Sequence, residues 1–124
     1  MKHLTNREEE IMEYFWAKGP MYVKDLVELF ADPKPHYNTV STMVRGLEEK
    51  GFIDHEQFGN THRYFAAISR EEFSKTNIRN LVSKYFNASY ASVVSMFVEE
   101  DKISIEEIQE LIRKVKSEKN KKNE

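Results

Sequence analysis

The sequence predicts a mainly α fold with one small β-hairpin, and three observations carry that prediction. Apolar residues recur at helical spacing in three stretches before Gly51, separated by Gly19-Pro20 and by Asp32-Pro33-Lys34-Pro35. The period then changes to that of strands on either side of Gly59-Asn60, a turn dipeptide. Beyond Ser69 helical spacing returns, each new stretch opened by a capping or breaking signal.

Thr5-Asn6-Arg7-Glu8 opens the first helix with a capping box, in which Thr5 and Glu8 satisfy each other's backbone donors. Ile11, Met12, Phe15 and Trp16 form its apolar stripe. A second helix carries Val23, Leu26, Val27 and Phe30 at i, i+3, i+4 and i+7. Both stripes read as ordinary core.

The third helix, expected over 37–50, carries the chemistry. Val40, Met43, Val44 and Leu47 supply its inward face, with Asn38, Ser41, Thr42 and Arg45 at the same spacing on another. A plain solvent face would be rich in Glu and Lys, which favour exposed helix positions. Short hydrogen-bonding side chains at the helix start, with an arginine one turn on, suit a major groove instead. Tyr37, Asn38, Thr39, Ser41, Thr42 and Arg45 are therefore candidate DNA contacts, while Glu48 and Glu49 sit at the far end. The two strands, expected over 52–58 and 62–68, meet at a tip bearing Asn60, Thr61, His62 and Arg63. None of these is acidic, and all four are candidates for phosphate or minor-groove contact.

Helix, helix-turn-helix and hairpin in this order read as a winged helix-turn-helix DNA-binding domain, placed at residues 1–70. Residues 71–118 read as a helical dimerisation domain and 119–124 as a disordered tail. Ser69-Arg70-Glu71-Glu72 and Ser104 with Glu107 are further capping boxes, and Ile103 with Ile108 suits a hydrophobic staple. Three short amphipathic helices bury little by themselves, so their stripes are expected to pair with a second copy. The candidate dimer residues are Leu81, Tyr85, Tyr90, Val93, Val94, Phe97, Ile108, Leu111, Ile112 and Val115.

Composition narrows the alternatives. The chain has 124 residues, 40% of them hydrophobic and 12% aromatic, enough for a packed core. It has no cysteine, so thiolate metal sites and cysteine nucleophiles are excluded. No long apolar run or signal-type N-terminus occurs, which leads us to expect a cytoplasmic protein with no membrane insertion. The four histidines are scattered, and neither a phosphate loop nor a nucleophile elbow is present. An enzyme, a cofactor and a bound metal are accordingly not expected. The formal net charge of −2 is low for a general nucleic-acid coat, so DNA contact must come from a local patch. The alternative reading is a winged-helix protein-interaction module without specific DNA binding.

The stretch NTVSTMVRGLEEKGFIDHEQFGNTHRYF, residues 38–65, resembles the recognition helix and wing of the BlaI/MecI/CopY penicillinase-repressor family. That family's pattern runs T-V-x-T, an apolar pair, an Arg, a Leu, then K-G. Thr39-Val40-Ser41-Thr42, Met43-Val44, Leu47 and Lys50-Gly51 match it. The opening LTNREEEIMEYFW is similar to the family's first helix, and SVVSMFVEEDKISIEEIQELIRKV, residues 92–115, to its dimerisation arm. The resemblance implies a homodimeric repressor on an inverted-repeat operator in double-stranded DNA. It also implies, from the β-lactam branch, a membrane sensor protease that triggers cleavage of the arm at an Asn-Phe bond. The corresponding bond here joins Met96 and Phe97, with Met in place of Asn. The copper branch's cysteine motif is missing. Family members place an Arg where this chain has Gly46; Arg45, one residue earlier, is turned by about 100° around the helix.

Overall fold

The computed structural model describes residues 3–122 and contains six helices and one hairpin among them. The helices are α1 (Asn6–Lys18), α2 (Val23–Val27), α3 (Tyr37–Glu49), α4 (Arg70–Tyr85), α5 (Tyr90–Glu99) and α6 (Ile105–Lys122). The hairpin strands are β1 (Ile53–Phe58) and β2 (Thr61–Ala66), antiparallel, with His55 opposite Tyr64 and Phe58 opposite Thr61. The chain divides into two compact units, 1–76 and 77–124, and the division falls within α4.

In the first unit the order α1, α2-turn-α3, hairpin makes the winged helix. Its core joins Ile11, Met12 and Phe15 of α1 to Leu26 of α2, Val40, Val44 and Leu47 of α3, and Ile53 and Tyr64 of the hairpin. Thr5 caps α1 as expected: Thr5 N–H donates to Glu8 at 2.9 Å, and the Glu8 N–H donates back to Thr5 at 3.2 Å. The second carboxylate oxygen of Glu8 accepts from Lys50 Nζ at 2.9 Å, tying the start of α1 to the end of α3. Met21 exchanges two backbone hydrogen bonds with Tyr64, at 2.8 and 2.9 Å, which seats β2 against the α1–α2 connection.

The end of α3 aims the wing. Gly51 has φ +88° and follows the C-cap Lys50. Its N–H reaches Glu48 O at 3.0 Å, and Phe52 N–H reaches Leu47 O at 3.0 Å. This pair of bonds is the Schellman motif, which needs a residue in the left-handed region at Gly51. Phe52 is thereby turned inward among the core residues, edge-on to Phe73 of α4 at 5.7 Å.

Several details differ from expectation. The α2 helix stops at Val27 rather than reaching Phe30. Leu29 and Phe30 donate to carbonyls three residues back, and Lys34 Nζ takes the Glu28 and Phe30 carbonyls at 3.1 and 3.0 Å. The chain therefore tightens and turns once Pro33 and Pro35 approach. Each strand is slightly shorter than read from the sequence. Residues 119–122 are helical rather than frayed, because lysine is a good helix former and lysines complement a helix C-terminus; residues 123 and 124 lie outside the described residues. Phe73, not singled out from the sequence, is buried against Trp16 and Phe52.

In the second unit Ser89 caps α5 through Ser92 N–H at 3.2 Å. The Ser104–Glu107 capping box forms with bonds of 3.1 and 3.0 Å. Asp101 adopts φ +59° and closes α5 with a second Schellman pair, Asp101 N–H to Val98 O and Lys102 N–H to Phe97 O. Val82 is fully buried, but neither α5 nor α6 contains a buried residue.

Gly51→Ala forces an L-residue into the left-handed region and should lower stability by about 1–2 kcal/mol. Gly46→Ala, inside α3 with open space at its Cβ position, should raise stability by about 0.5–1 kcal/mol. Urea denaturation of both variants tests the opposite signs. For Glu8, burial opposes the charged form, but the Thr5 N–H and the Lys50 ammonium outweigh it and hold the pKa below the ordinary 4.5. A depressed folded pKa gives stability that is present above the unfolded value and lost as pH falls through the folded one. Glu8→Gln should therefore cost about 1–3 kcal/mol at pH 7, with the gap to the parent closing below pH 4.5 in pH-dependent unfolding.

Candidate nucleic-acid interface

The outward face of α3 is built by what its inward face buries. Val40, Val44 and Leu47 are each fully buried, which turns Asn38, Thr42 and Arg45 out to solvent. Tyr37 and Thr39 are exposed at the helix start, and Ser41 is half-buried. Met43, expected with the inward set, is only partly buried at the edge of the core. His36 is the N-cap, its Nδ1 accepting from Asn38 N–H at 3.1 Å. No acidic residue stands in the first turn of α3, so its positive dipole end is not neutralised locally. Thr42 Oγ1 donates to Asn38 O at 2.9 Å, and Arg45 lies back along the helix towards Ser41 O and Thr42 Oγ1, each at 3.4 Å. Two of the face residues are thus already oriented before any ligand arrives.

The wing brings a second row of polar groups alongside. Tyr37 and Ser41 of α3 share a groove of about 490 Å³ with Asn60, Thr61, His62 and Tyr64 of the hairpin. Tyr22, Val23 and Lys24 from the start of α2 close the groove. Lys24 and Tyr22 were missed in the sequence reading. The usable signal was their place on the first helix of the helix-turn-helix, which commonly crosses the DNA backbone. At the base of the groove, burial and then the Glu48 carboxylate push the Tyr64 phenol pKa above its ordinary 10.0, so its hydroxyl stays protonated.

The four wing-tip candidates do not act alike. Thr61 Oγ1 donates to Phe58 O at 2.8 Å and so holds the turn. His62 faces the groove and stacks on His55, ring centroids 4.1 Å apart and planes at 10°. Arg63 is the next residue along the strand and projects from the opposite side of the hairpin. There it lies over the Phe58 ring at 4.8 Å and meets Glu56 at 3.4 Å, and its buried Nε finds no hydrogen-bond partner. The fold therefore gathers Tyr37, Ser41, Asn60, Thr61 and His62 into one groove, leaves Asn38, Thr39, Thr42 and Arg45 on the adjoining helix face, and places Arg63 apart.

Glu48 and Glu49, at the end of α3, are not among the residues that line the groove. Glu48 is bonded to His55 Nδ1. Among the described residues no helix is long and apolar enough to cross a membrane.

The penicillinase repressor family model matches residues 4–117. The chain is similar to the penicillinase repressor of Bacillus licheniformis, 26% identical over 122 residues that cover 98% of this chain and 95% of that protein. It is also similar to the methicillin resistance regulatory protein MecI of Staphylococcus aureus strain N315, 26% identical over 111 residues, 87% of this chain and 89% of that one. Among solved structures it resembles the transcriptional regulator SlyA, with 20% identity, a TM-score of 0.47 and coverage of 94% and 75% of the two chains. The matched family is one of repressors, not of enzymes. Since α3, the hairpin and nearly all of the C-terminal helices lie inside the matched segment, this chain belongs to the penicillinase repressor family.

Proposed function

We propose that this chain is a sequence-specific DNA-binding transcriptional repressor that acts as a homodimer on an inverted-repeat operator. The observation that carries the reading is the α3 face. Asn38, Thr42 and Arg45 stand exposed on a helix whose first turn holds no acidic residue, beside a groove shared with the wing. Asn, Thr and Arg side chains are those that meet base edges, and an N-terminal helix dipole favours phosphate. In this reading 1–70 is the DNA-binding domain, and Lys24 with the wing tip contacts the backbone.

The helices of 71–118 form the dimerisation domain. Leu81, Tyr85, Tyr90, Val94, Phe97, Leu111, Ile112 and Val115 are exposed in the single chain, Tyr85 at 69%, while Val93 and Ile108 are half-buried. So many large apolar side chains in contact with water are the mark of a surface that another chain covers. A two-fold partner serves because it also sets two reading helices one DNA turn apart. A sensor protease acting on the arm would meet the Met96–Phe97 bond inside α5, with Met96 half-buried. Proteases prefer exposed loop tips, so scission there requires α5 to unwind first.

Binding to fragments of the chain's own upstream region tests the whole reading. Nanomolar-range affinity that weakens steeply between low and moderate salt is expected, because each neutralised phosphate releases counterion. Salt-independent binding, or none to any fragment, would favour a protein-interaction module. Within that assay Arg45→Ala and Thr42→Ala should each weaken operator binding by about 1–3 kcal/mol if they read bases; unchanged affinity in both removes α3 as the reader. In sedimentation, Val94→Asp and Leu111→Asp should each shift dimer towards monomer, since a covered charge without a partner is strongly unfavourable. Dimers retained in both variants place the interface elsewhere.

A further inference from the structure

The Gly51 turn brings the end of the reading helix against the first wing strand and places three metal-ligating side chains together. We propose that Glu48, Asp54 and His55 bind a divalent transition-metal ion of the zinc type, which clamps α3 to the wing. One carboxylate oxygen of Glu48, one of Asp54 and a ring nitrogen of His55 all lie within 4.8 Å of one another. An ion bound by imidazole at about 2.0–2.1 Å and by carboxylate at about 2.0–2.2 Å holds its ligands about 3.4 Å apart, so the hydrogen-bonded Glu48 and His55 atoms must part slightly to admit it. Small side-chain rotations supply that, since Asp54 is exposed and Glu48 and His55 are half-buried. No backbone movement is needed.

The contacts within and around the cluster orient its side chains. His55 N–H donates to Asp54 Oδ1 at 2.8 Å, which turns that carboxylate back towards the site instead of leaving it on the far side of the strand. Without metal, His55 Nδ1 donates its proton to the Glu48 carboxylate, and the ion takes the place of that shared proton, which leaves to solvent. His62, stacked nearly parallel at 10°, holds the ring plane of His55. That same stacking excludes His62 as a ligand, because an ion in the plane of one ring lies outside the plane of the other. The fourth position falls to water, as in open zinc sites. One imidazole with two carboxylates selects zinc-like ions over calcium or magnesium, which take all-oxygen sets. The doubly negative pair Glu48 and Asp54 supplies the charge a divalent ion requires.

The test uses the full chain without an affinity tag, stripped with chelator and titrated with Zn²⁺ alone by calorimetry. Co²⁺ absorption provides a second readout. One ion per chain is expected, with a tetrahedral cobalt spectrum and a raised midpoint of thermal unfolding on metal addition. Lowering the pH from 7.5 to 5.5 should weaken binding about tenfold or more, since protons compete with the ion for its ligand atoms. His55→Ala and Asp54→Asn should each lose about 10- to 100-fold in affinity, while His3→Ala changes nothing. Asp54→Asn guards against a folding defect in His55→Ala, because Asp54 is exposed, and circular dichroism of both without metal verifies their fold. Absence of Zn²⁺ binding at millimolar concentration, or equal binding by the folded variants, overturns the proposal.

Discussion

Burial of Val40, Val44 and Leu47 is the constraint from which the surface of the first unit follows. Three side chains on one stripe of α3 leave no solvent access, so the helix has one rotational setting in which they fit. That setting points Asn38, Thr42 and Arg45 outward and makes Met43 an edge residue. It also fixes where α3 ends, since Leu47 supplies the carbonyl that Phe52 must reach. The Gly51 turn, the direction of β1 and hence the groove beside Ser41 are consequences of one buried stripe.

The acidic balance of the chain loses its force once the pairings are seen. Glu8 is paired with Lys50, Glu10 with Arg7 and Glu13 with Arg70. The exposed pairs, Glu10 with Arg7 and Glu13 with Arg70, add little stability, but every pair neutralises charge close to where it arises. The first turn of α3 is left without an acidic neighbour on its own element. A net charge of −2 is therefore compatible with a surface for an anionic polymer.

The second unit stands on a different footing. Its helices are well started, by Ser89 and by the Ser104–Glu107 box, yet α5 and α6 bury no side chain. Caps contribute about 1 kcal/mol each and cannot hold short helices alone in water. Tertiary burial must supply the rest. This gives the apolar stripes of the arm a structural purpose as well as a binding one.

The helices, their caps, the hairpin and the two faces of α3 were legible in the sequence, because each rests on residues within about one turn of one another. The α1 capping box, the Gly59-Asn60 turn and the inward set of α3 are of this kind. The remainder depends on which distant residues meet. Nothing local marks Lys50 as the partner of Glu8, Phe73 as a core residue, or Trp16 as a donor to Ile68 O at 2.9 Å. Nor could spacing alone show that Arg63 is committed to Glu56 and Phe58, or that His55, Glu48 and Asp54 converge. Periodicity determined which residues could face inward, and only the packed chain decided what each one faces, since contacts between elements are set by the geometry of the whole core.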